Sequence, residues 1–152
     1  MRQRLLAALR LELLDFLLRG MHWLAFGLAL LIAAALFYLP EGFTARILIL
    51  HAAMAAFLLM AFRAWREKRD GCAAALSVTP LRPHEYLAAK VLLLTGLVAM
   101  ENLGLGQVSG RLRWLWIWLP GTCVVAAVSA ALGFLAVGGS LSLRRAFANW
   151  RG

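Results

Sequence analysis

Seven acidic residues stand against sixteen lysines and arginines in this 152-residue chain. What else is scarce excludes several classes of protein. The two cysteines, Cys72 in a polar stretch and Cys123 deep in an apolar run, show neither CxxC nor metal-ligand spacing. Both read as small packing residues. No nucleophile, base and orienting group form a catalytic pattern, which argues against an enzyme, and no metal cluster stands out. No Walker A sequence occurs, so ATP is not bound in that way. Gly104-Leu105-Gly106 and Gly110 have the wrong spacing for a nucleotide loop and follow no strand. They read as loosened helix or a helix end. The N-terminus opens on a charged amphipathic stretch where a cleavable signal peptide would have a short apolar core. No internal repeat is evident.

Apolar residues are what the chain has in excess: 63% of the sequence, with a mean hydropathy of +0.80. Soluble domains run at roughly 45–50% apolar, so this composition belongs to a membrane protein. The net charge of +9 does not indicate a nucleic-acid partner. No basic stripe interleaves with exposed aromatics. The positive residues instead gather at the ends of apolar runs, where anionic headgroups lie.

Residues 2–19 carry leucines at helical spacing and charges at positions 2, 4, 10, 12, 15 and 19, too many for a spanning helix. The expectation is an amphipathic helix in the interface plane, stopped by Gly20. A span needs about 20 apolar residues. Four candidates follow at 21–39, 45–62, 91–108 and 114–143, the last containing Pro120, which can kink it. Six basic residues lie in the polar stretch 63–90, four in the N-terminal helix and three in the C-terminal tail. Only Arg46, Arg111 and Arg113 fall on the opposite side. The positive-inside rule then places both termini and the 63–90 stretch in the cytoplasm. The expected fold class is all-α integral membrane, an interfacial helix followed by four transmembrane helices.

The 63–90 stretch is too long for a simple turn. A short helix is expected over 66–78, ended at Thr79-Pro80 because the residue before proline is pushed out of the helical region. Pro83 suits the first turn of the next helix, with Glu85 favourably near its positive end and Lys90 at headgroup level. In order the stretch reads Glu67, Lys68, Arg69, Asp70, Gly71, then Thr79-Pro80-Leu81, Arg82-Pro83, Glu85-Tyr86 and Lys90.

This order resembles the coupling segment between the second and third spans of ABC-2 type transporter permeases. Within that superfamily the chain looks most like multidrug permeases of the fluoroquinolone-export group, which also carry an acidic residue partway along the third span, here Glu101. Asp70 stands where Glu is commoner and Cys72 where Thr or Ser is frequent. The resemblance implies a single transmembrane domain in the bacterial cytoplasmic membrane, paired with a second permease copy or a homologous subunit. Glu67, Arg69, Gly71, Thr79, Pro80, Arg82, Glu85 and Tyr86 would couple it to a separate cytoplasmic ATPase that carries the ATP and Mg. Glu101 and Asn102 become candidates for the substrate path, against a plain helix-packing role. Such permeases usually have six spans, so a truncated, split or naturally short member is expected. Two other readings remain: an ATP-independent four-helix transporter working through Glu101, and a non-transporting membrane scaffold or remnant. His51 reads as a packed, hydrogen-bonded histidine, and His22 with Trp114, Trp116 and Trp118 as interface anchors.

Overall fold

The computed structural model describes residues 2–70, 83–108 and 112–138. Helix α1 spans Arg2–Leu18 and α2 spans Met21–Tyr38. A 3-10 turn at Glu41–Phe43 leads into α3, Thr44–Arg69. Helices α4 and α5 span Pro83–Val108 and Leu112–Gly138. Glycine explains the first break. Gly20 takes φ +70°, a left-handed conformation that other residues adopt at a cost, and its N–H bonds back to the Leu17 carbonyl. Gly104 to Gly106 do not loosen α4, which runs as regular helix to Val108. The helix α5 continues through Pro120.

Helices α2, α3, α4 and α5 are each long and apolar enough to cross a bilayer. Their outward faces suit lipid: Trp23, Phe26, Leu30 and Phe37 on α2 and Val124, Val128, Leu132 and Leu135 on α5 are all exposed. In water so much exposed apolar surface would drive aggregation. In a bilayer it is the solvated face.

Helix α3 forms the spine, packing most extensively against α5, while α4 lies against α5, α1 and α3. Small residues make the close approach possible, as is usual where lipid removes the hydrophobic drive between helices. Ala52, Ala55 and Ala56 of α3 and Ala126 and Ala130 of α5 are all buried in the central cluster. At Gly133 an added Cβ would meet the Phe57 carbonyl oxygen of α3 at 2.6 Å. Backbone touches backbone there.

Helix α1 departs from expectation. Its charges do not all face outward: Ala8, Glu12 and Phe16, one turn apart, form the buried stripe, while Leu6, Leu11, Leu14 and Leu18 are exposed. A carboxylate on a buried face needs partners. They come from α3 and α4.

Candidate functional site

Two groups of polar side chains sit inside the helix assembly. The first joins α1, α3 and α4. Arg63, 4% exposed, pairs with Glu12 and lies 3.5 Å from Asp15. Lys90 is fully buried, pairs with Glu67, and stands 4.0 Å from Glu12. Its ammonium also lies 4.1 Å from the centre of the Tyr86 ring, whose hydroxyl is hydrogen-bonded to Glu67. At the margin Arg19 bonds Asp15 and reaches Asp70 at 2.8 Å. Burial holds the Glu12 carboxyl above its ordinary value, against the opposing pull of Lys90 and Arg63. The Arg19 guanidinium is raised, chiefly by its hydrogen bonds to Asp15 and Asp70.

Sequence alone does not say what Glu67 and Arg69 pair with. In the structure Glu67 turns to Lys90 and Arg69 stacks over Trp65, 5.7 Å from the ring centre. Lys90 points into the protein, where Glu67 and Glu12 meet it. Glu85 sits buried in the first turn of α4. Gly71, Thr79, Pro80 and Arg82, together with the short helix expected over 66–78 beyond Asp70, lie outside the described residues. So do residues 139–143 of the fourth expected span.

The second group lies near the middle of the spans. Asn102, fully buried, donates from Nδ2 to the Leu48 carbonyl at 3.4 Å, which turns its Oδ1 toward His51. His51, 1% exposed, has Nδ1 2.8 Å from that oxygen. Hydrogen-bond logic makes Nδ1 the donor, so a neutral ring presents Nε2 as an acceptor. That Nε2 stands 3.6 Å from Glu101 Oε2, beyond hydrogen-bond range. Among the described residues neither atom has a hydrogen-bond partner.

Glu101 opens on a cleft of about 360 Å³ between α2 and α4, lined also by His22, Trp23, Phe26, Ala29 and Leu97. That volume lies within the range of about 300–1,000 Å³ typical of small-molecule sites. A charged side chain at the bilayer centre costs roughly 2.5–3.5 kcal/mol on insertion scales. Its presence calls for a counterpart. The sequence reading missed His22 as a lining residue, since its position near the start of a span suits an anchor equally well. Among the described residues no group of His, Cys, Asp or Glu forms a metal site.

Four bilayer-length helices with ionisable groups held between them define a multi-pass helical membrane protein. Its family follows from the sequence match. The chain belongs to the family described as Fluoroquinolones export permease protein Rv2686c-like, whose model matches residues 12–140. Membership makes it an export permease, a transport protein rather than an enzyme. No curated protein and no solved structure matches the chain.

Proposed function

We propose that this chain is the membrane subunit of an ATP-driven exporter of drug-like or amphiphilic molecules in the bacterial cytoplasmic membrane. It works as a dimer with a second permease subunit and with a separate ATPase that supplies ATP and Mg. The observation that carries the reading is the family match, together with the clamp at the base of α3 and α4. These two helices flank residues 70–82, the middle of the 63–90 stretch that resembles an ABC-2 coupling region. Glu67 of α3 and Lys90 of α4 are ion-paired across their bases, and Glu12 of α1 joins the same network. A push on the connecting segment would therefore move α3 and α4 together, with α1 carried along. Rigid elements joined this way transmit domain rocking without unfolding.

The alternative ATP-independent carrier accounts for Glu101 but gives the long 63–90 stretch no task. A scaffold accounts for neither. The test is purification of the tagged chain in mild detergent, followed by reconstitution of whatever Walker A ATPase accompanies it. The proposal expects ATP-dependent transport that is lost when Thr79-Pro80 is replaced by Ala-Ala, with membrane insertion intact. Transport at the wild-type rate without any ATPase would overturn it.

A further inference from the structure

We infer that His51 of α3 and Glu101 of α4 form a proton-binding site, with one hydrogen held between His51 Nε2 and Glu101 Oε2. The inference rests on side-chain geometry and stands apart from the export reading.

The two atoms face each other 3.6 Å apart, both are buried, and among the described residues neither has a hydrogen-bond partner. Buried polar atoms are almost always satisfied in native proteins, so the exception needs a reason. The histidine tautomer supplies it. Asn102 donates from Nδ2 to the Leu48 carbonyl, which leaves its Oδ1 to meet His51 Nδ1 at 2.8 Å. Turning the amide round would set Oδ1 against the Leu48 carbonyl oxygen, acceptor against acceptor. Nδ1 therefore carries the hydrogen of a neutral ring, and Nε2 turns a bare lone pair toward Glu101. A carboxylate there would meet it with another lone pair. One added proton removes the conflict in either of two forms. They are an imidazolium beside a carboxylate, and a neutral ring accepting from a carboxylic acid. Closing to the usual hydrogen-bond range asks for a shift of about 0.4–0.9 Å.

Among the described residues no other charged group takes the proton's place. Arg63 of α3 and Lys90 of α4 are engaged by Glu12 and Glu67, and Asp15 near the end of α1 is held by Arg19. On α2, His22 lines the cleft beside Glu101 without pairing to it. Helix α5 offers Arg113 in its first turn and the half-buried thiol of Cys123. A lone charge within the bilayer is costly, and the added proton makes the pair neutral overall. It also joins α3 to α4 in the middle of the spans. A cycle that parts these helices must release the proton or leave it on one partner alone.

The test reads the nitrogen-15 signals of His51 in lipid nanodiscs, in a chain whose other two histidines, His22 and His84, are replaced by glutamine. Both forms of the pair put a hydrogen on Nδ1 and a hydrogen or hydrogen bond at Nε2. Neither nitrogen should then show the signal of a free acceptor. In Glu101→Met, Nε2 should shift to the free-acceptor position while Nδ1 keeps its hydrogen. Glu101→Gln brings an amide hydrogen of its own and should keep Nε2 hydrogen-bonded. A hydrogen-free Nδ1 beside the native Glu101 would overturn the inference, because the neutral ring could then donate to a carboxylate unaided. So would a free Nε2 beside the native Glu101, or an Nε2 signal that Glu101→Met leaves unchanged. The first two outcomes need no substitution at Glu101, so they decide even where Glu101→Met fails to fold.

Discussion

The two polar groups inside this bundle are made of similar residues and treated in opposite ways. Around Lys90 and Arg63 each inward-facing cation has at least one carboxylate, and the helices α1, α3 and α4 are tied by the result. Around Glu101, among the described residues, the acid meets a histidine beyond hydrogen-bond range, beside an open cleft. Opposite charges paired across helices fix those helices in place, even though one nitrogen of Arg63 is left without a hydrogen-bond partner among the described residues. The first group ties three helices together by ion pairs, and Glu101 makes no such tie to a lysine or arginine among the described residues.

Removing Lys90 is the harshest way to break that division. Lys90→Met strips Glu67 of its partner and Glu12 of a neighbour, and breaking a buried pair costs about 3–5 kcal/mol. The loss should fall near the lower end, because the Glu67 side chain keeps some exposure and Glu12 keeps Arg63. It would appear as a large drop in melting temperature by size-exclusion after heating. Lys90→Met combined with Glu67→Met should recover much of it. If the single variant melts like the wild type, the network holds nothing together.

Gly133→Ala separates helix packing from charge. Its new methyl meets the α3 backbone, so about 1–3 kcal/mol of stability should go. Full stability would place α5 farther from α3 than described.

A pH series sharpens the view of Glu12. Its folded-state value lies above the ordinary 4.5, with burial the main cause. The folded chain keeps this proton where the unfolded chain has lost it. The associated stability is complete below the unfolded value and is lost as pH rises through the folded one. Melting temperatures taken from about pH 4.5 to about pH 8 should fall in the wild type and run flatter in Glu12→Gln. Parallel profiles would contradict the assignment. The smallest effect belongs to Arg19, half at the surface. Arg19→Gln should cost no more than about 1 kcal/mol, the usual ceiling for exposed pairs.

The spans were readable in the sequence because hydrophobic length alone specifies a membrane helix. Glu101 was also readable, since an acid in an apolar run stands out. The pairings were not. Glu12 and Arg63 are separated by 51 positions, as are His51 and Asn102, and nothing local links either pair. In α1 the charges are scattered around the helix, so the sequence suggested an interface face and hid that Glu12 turns inward. Lys90 followed the same course. A basic residue near a span end reads as a headgroup anchor unless its carboxylates are known.

The central claim is that the drive for export enters through the segment between α3 and α4, whose bases the Lys90–Glu67 pair ties together. The direct measurement is ATP-dependent uptake of a fluoroquinolone by inverted vesicles containing the chain and its co-purifying ATPase, comparing wild type with Thr79-Pro80 replaced by Ala-Ala. The account predicts that the variant inserts in the membrane and loses the uptake. Unchanged uptake by that variant would contradict it.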